Sequence, residues 1–200
     1  NPGTQDKPWK TIQKAADSAQ PGDTVYVRGG TYTGTVRFTH SGKEGSPITF
    51  QNYQGESVTV KATDWAGLHL NADWLVIDGF KVSGASSHGI FITGANHNIV
   101  QNCEFTDNGW AGVMFGGDRG PASNNTVRNC NVHDNKQEGI YLRTGPEGKP
   151  GVQVNNNVIE GNNVHHNGAE GIQNTETFDP PYPNGTIIRG NHVHNNGGSW

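Results

Sequence analysis

Short apolar and polar positions alternate along this chain in a phrase that returns five times from residue 76 onward: VIDGFKV (76–82), VQNCEFTDN (100–108), VRNCNVHDN (127–135), IEGNNVHHN (159–167) and IRGNHVHNN (188–196). A second phrase follows the first four: HGIFI (88–92), AGVMF (111–115), EGIYL (138–142) and EGIQN (170–174). Aligned on Gly89, Gly112, Gly139 and Gly171, the steps are 23, 27 and 32 residues. Strands of fixed length separated by loops of variable length predict a solenoid. Rungs of such a coil lie about 4.8 Å apart, so equivalent residues form vertical columns. The phrases predict one interior column of Val82, Phe105, Val132, Val164 and Val193, and another of Ile90, Val113, Ile140 and Ile172. Phe80, Cys103, Cys130, Asn162 and Asn191 form a third that turns from apolar to amide. Asn108, Asn135, Asn167 and Asn196 recur at the next bend, where stacked amides bond one another and Asn tolerates the left-handed backbone.

Earlier in the chain, residues 8–19 (PWKTIQKAADSA) place Trp9, Ile12, Ala15, Ala16 and Ala19 on one face, with Pro21-Gly22 as the stop. An apolar helix ahead of the first strand suits a cap over the open end of a coil, whose strand edges would otherwise be unpaired. Strand patterns follow at 23–32, 35–39, 47–53, 57–62, 67–71 and 74–80. The fold class expected is all-β, a right-handed parallel β-helix with a short N-terminal capping α-helix. It forms one domain over 1–200: cap at 8–19, N-terminal coils at 23–75 and regular coils at 76–200, cut short at the C-terminal end. The longest loops, 116–125, 144–157 and 175–185, all leave one edge of the coil.

Composition agrees with such a coil. Hydrophobic residues are 31% and glycines number 29, too little apolar surface for a sandwich but enough for a narrow column. The regular Val and Ile placement argues against disorder. A net charge of −4 gives no basic footprint for nucleic acid, and no apolar run reaches membrane-spanning length.

The opening residues 1–32, NPGTQDKPWKTIQKAADSAQPGDTVYVRGGTY, with SGKEGSPITFQNYQGE (41–56), resemble the start of right-handed parallel β-helix proteins of the polysaccharide lyase 9, pectate lyase-like type. CEFTDNGWAGVMF (103–115) and EGIYLR (138–143) resemble the middle coils of that family. The resemblance implies a secreted or cell-surface protein that cleaves an acidic, uronate-containing polysaccharide by β-elimination, with Ca²⁺ neutralising the uronate carboxylate and a lysine removing the adjacent proton. Position by position it puts the metal ligands at Glu138 and Glu170, one above the other. Where the family carries further acids, this chain has Ala169 and Gln173. Lys136 and Arg143 are the bases nearby, and the guanidinium pKa of Arg143 is too high for a proton acceptor. Trp110, Tyr141, Arg143, Gln173, Glu176 and Asp179 are the candidate sugar contacts, because pyranose rings offer apolar faces and many hydroxyls. Trp110 packed under its own loop, and Glu138 and Glu170 as solvated carboxylates, are the structural readings set beside these.

Cys103 and Cys130 occupy successive places in one column, compatible with a disulfide or with two buried thiols. His133, His165 and His194 share a column that His166 adjoins; imidazoles at rung spacing could bind zinc or copper, but with no Cys or acid fixed at tetrahedral geometry they are expected as stacked surface histidines. The second functional expectation is a non-catalytic β-helix that binds glycan or self-associates through its open ends.

Overall fold

The computed structural model describes residues 1–116, 120–143, 153–175 and 185–197. The chain is a right-handed parallel β-helix built from three sheets. Sheet 1 stacks seven strands, from Thr24–Val27 through Ile48–Asn52, Leu75–Asp78, Ile99–Gln101, Thr126–Arg128 and Val158–Glu160 to Ile187–Arg189. Sheet 2 also stacks seven, from Gly30–Thr33 through Val58–Lys61, Phe80–Ser83, Glu104–Thr106, Asn131–His133 and Asn163–His165 to His192–His194. Sheet 3 holds six: Val36–Phe38, Ala66–Leu70, His88–Ile92, Val113–Gly116, Ile140–Arg143 and Ile172–Thr175. Every neighbouring pair is parallel and each strand lies over its equivalent, so the expected interior columns form as written, with Phe105 between Val82 and Val132 and Val113 between Ile90 and Ile140.

The regular coils turn on left-handed residues, one at each corner. Positions 79, 102, 129, 161 and 190 carry φ of 75°, 54°, 53°, 64° and 62°, and positions 84, 107, 134, 166 and 195 carry 81°, 55°, 55°, 53° and 53°. Trp74, His97, Asn124, Asn156 and Gly185 fill the third corner at 58°, 59°, 59°, 54° and 49°. Gly and Asn pay least in steric strain there, which explains their abundance.

Inside the corners the amides form ladders. Asn108 Nδ2 donates to Asn135 Oδ1 at 2.8 Å, Asn135 to Asn167 at 2.9 Å, and Asn167 to Asn196 at 2.8 Å. A ladder not anticipated from the sequence runs through Asn98, Asn125 and Asn157 at 3.0 and 3.3 Å, and its first oxygen accepts the Leu75 N–H. The Cys column ends in Asn162, whose Oδ1 accepts the Cys130 N–H, and in Asn191. Cys103 and Cys130 themselves are buried as free thiols.

The cap is a shorter helix than expected, Ile12–Ala16, with Thr11 as N-cap accepting the Lys14 N–H. Pro8 precedes it, and Asp17–Ala19 close it as a turn with Ala19 N–H bonded to Ala15 O. Ile12, Ala15, Ala16 and Ala19 are buried on the core as the pattern required. Gln13 does more than the pattern showed. Its Nε2 donates to Arg37 O at 2.9 Å and its Oε1 accepts the Arg37 N–H at 2.7 Å, so one amide side chain continues the ladder at the edge of sheet 3.

Candidate functional site

Alternation ordinarily leaves one face of a strand in solvent. Sheet 3 departs from this, because all five residues of Ala66–Leu70 and of His88–Ile92, and all four of Val113–Gly116, are buried. Register places Arg37, His69, Phe91, Met114, Tyr141 and Gln173 in one outward column. Phe91 and Met114 join Ala66 and Ala111 in an apolar cluster outside the coil, against which Trp65 and Tyr141 pack.

Aromatic rings extend that layer. Trp65 lies 5.2 Å from both His69 and Phe91, and His88 lies 5.4 Å from both Phe91 and Trp110, centroid to centroid. Burial, and secondly the positive charge of Arg143, push the His88 imidazole down to about 4. His88 is therefore neutral at pH 7, and its Nδ1 is buried without a hydrogen-bond partner. Gln173 Oε1 is likewise a buried acceptor without a partner.

The two stacked carboxylates differ sharply in surroundings. Gly139 N donates to Glu170 O and Gly112 N to Glu138 O, so Ala111, Glu138 and Glu170 occupy successive rungs of one column. Glu138 is 8% exposed and accepts the Trp110 indole N–H at 2.6 Å, whereas Glu170 is exposed. Trp110 keeps 39% of its surface exposed while anchored in this way. A partly exposed indole held by its N–H is suited to stacking on a sugar.

Among the other candidates, Arg143 is half-buried at the end of its strand, between Gly116 and Thr175 in register. Thr175 Oγ1 donates to Tyr141 Oη at 3.4 Å. Lys136 is exposed on the bend before Glu138, its N–H bonded to Asn108 O. Glu176 and Asp179, and the 118–119 loop, lie outside the described residues. The structure thus brings Trp110, Glu138, Tyr141, Arg143 and Gln173 onto one face. Sequence reasoning missed Trp65, His69, His88 and Phe91, although apolar residues at the outward positions of HGIFI and AGVMF are the signal of a strand buried on both sides.

Calcium takes six to eight hard oxygen ligands. Among the described residues no three His, Cys, Asp or Glu side chains converge on a point. One of the two stacked carboxylates is moreover sequestered by Trp110. These residues do not fit the calcium ion that the lyase resemblance implies.

Comparison with known proteins places the architecture. The family model described as Pel9A-like, right handed beta helix region matches residues 1–143. The uncharacterized protein YwoF of Bacillus subtilis is 34% identical over 137 residues, covering 61% of this chain and 28% of that protein. Pectate lyase PEL9 of Emericella nidulans is 41% identical over 73 residues, covering 36% of this chain and 18% of that enzyme. The crystal structure of pectate lyase Pel9A superposes with a TM-score of 0.79 at 24% identity, covering 100% of this chain and 52% of the other. The chain therefore spans about half, or less, of the length of the relatives it matches.

Proposed function

Because the chain belongs to the Pel9A-like right-handed β-helix family, we propose that it acts on an acidic polysaccharide held against the outer face of sheet 3. The observation that carries this reading is the Trp110 ring, anchored by Glu138 and still 39% exposed, on the same face as Arg143. The ring supplies an apolar platform for a pyranose, and the guanidinium a bidentate partner for a uronate carboxylate. Such polymers lie outside cells, and the proposal places the protein there. The activity it implies is β-elimination of a uronate polymer, in which a base takes the proton beside the carboxylate and the glycosidic oxygen departs. Lys136, exposed on the bend before Glu138, is proposed as that base.

Incubation with polygalacturonate and alginate, with and without added calcium, tests both halves of the proposal. Ultraviolet absorbance of unsaturated uronate reports cleavage, and calorimetry reports binding. Cleavage should fall roughly 100-fold or more in Lys136→Ala, and Trp110→Ala and Arg143→Ala should weaken binding. Failure of every uronate polymer to bind would end the proposal.

A second reading is favoured by the Glu138–Trp110 bond, which diverts one of the two stacked carboxylates into holding a ring. In that reading the face binds the polymer without cutting it. Saturable binding with no unsaturated product distinguishes this case.

A further inference from the structure

The outer face of sheet 2, away from the proposed glycan face, carries a histidine cluster. Successive side chains of a strand ordinarily point to opposite faces. In the last four coils of sheet 2 each strand ends just before a non-glycine left-handed corner residue. The pairs so formed are Thr106–Asp107, His133–Asp134, His165–His166 and His194–Asn195, with φ of 55°, 55°, 53° and 53° at the second residue. Thr106 Oγ1 donates to Asp107 Oδ2 at 3.2 Å, and His133 Nδ1 meets Asp134 Oδ2 at 2.6 Å. In the next rung a second imidazole replaces the acid, and His165 Nδ1 lies 2.7 Å from His166 Nδ1.

The surrounding hydrogen bonds fix the protons. Asn131 Oδ1 accepts from Asn163 Nδ2 at 3.0 Å and faces His165 Nε2 at 3.1 Å, so His165 carries its proton on Nε2 and presents a bare Nδ1. Asn195 Nδ2 points at His166 Nε2 from 3.5 Å, which leaves the His166 proton on Nδ1, shared with His165. The ring of His165 stacks between His133 and His194 at 4.9 and 5.1 Å, which holds it in place.

We propose that His165 Nδ1 and His166 Nδ1 form a two-nitrogen seat for a first-row divalent transition-metal ion such as zinc or copper. Imidazole nitrogen suits these ions, and a ligating histidine ordinarily donates its other N–H to a fixed acceptor, the part Asn131 Oδ1 already plays for His165. Tetrahedral zinc with bonds of about 2.0 to 2.1 Å holds its ligands about 3.3 Å apart. The pair must therefore open by a few tenths of an ångström, and His166 is exposed and free to turn. The proton on His166 Nδ1 moves to Nε2, where the Asn195 amide turns its oxygen to accept it. No charge is lost from the protein, and water completes the coordination.

Calorimetric titration of the full chain, free of any histidine tag, with zinc chloride tests the seat, alongside copper(II) electron paramagnetic resonance. One zinc per chain should bind, and the copper spectrum should show two nitrogen ligands. His166→Asn, which restores an amide as in the next rung, and His165→Gln should each weaken zinc binding by about tenfold or more. His97→Gln, at another corner, should leave it unchanged. Zinc binding that survives His166→Asn and His165→Gln, stoichiometry spread over several histidines, or no binding at a large excess of zinc would overturn the proposal.

Discussion

Asn135 shows how much of this fold a single amide holds. Its Oδ1 accepts both the Asn108 N–H and the Asn108 side chain, and its Nδ2 reaches Asn167, Phe105 O and His133 O. Asn135→Ala strands several of these buried groups at once, and each costs about 1 to 3 kcal/mol when left unpaired. Urea unfolding should show a loss of about 2 to 4 kcal/mol. His88 contributes a pH dependence to stability. Its folded pKa of about 4 lies below the unfolded value of 6.5. The unfolded chain therefore binds more protons between these values, and stability falls as pH drops from 6.5 toward 4. Between pH 7 and pH 4.5 the loss from this residue is about 2 kcal/mol. His88→Gln should flatten that part of the profile, and an unchanged slope would assign it to other groups.

At the scale of the element, close approach between rungs decides which glycines can change. A Cβ on Gly139 would clash with Val164 Cγ1 and would meet Gly171 O at 2.5 Å and Asn167 Nδ2 at 2.8 Å. The carbonyl belongs to the next rung and cannot move alone, so Gly139→Ala should cost about 3 kcal/mol or more. Gly55, with φ of 76° and nothing within 4 Å of a Cβ, meets only backbone strain. Gly55→Ala should cost about 1 kcal/mol. The cap is testable on its own. Gln13→Ala removes both bonds to Arg37, and hydrogen exchange at the Arg37 amide should accelerate while exchange in the Val113–Gly116 strand stays slow. The Val and Ile columns were legible from the sequence because their spacing alone fixes the register. The Asn98 ladder was hidden by its setting. Runs such as NHNIV, SNNTV and NNNVI hold several polar residues, and spacing does not say which one turns inward. The Trp110–Glu138 bond was out of reach for a related reason. Register brings their rungs together, but the rotamers decide whether indole meets carboxylate.

For the molecule as a whole, the low hydrophobic content was the right guide to a narrow coil, with the apolar column inside and amide ladders at its corners. What composition did not show is the second apolar layer, outside the coil, on the outer face of sheet 3. That layer sets the face apart from the imidazole-rich outer face of sheet 2, and it is the reason the glycan is assigned to sheet 3. The most direct test is a nuclear magnetic resonance titration of the protein with an oligogalacturonate. Saturable shifts of the Trp110 indole N–H and the Arg143 guanidinium are expected, with the His133 and His165 imidazoles unmoved. Shifts confined to the sheet 2 histidines, or none at any concentration, would contradict the assignment of the glycan to sheet 3.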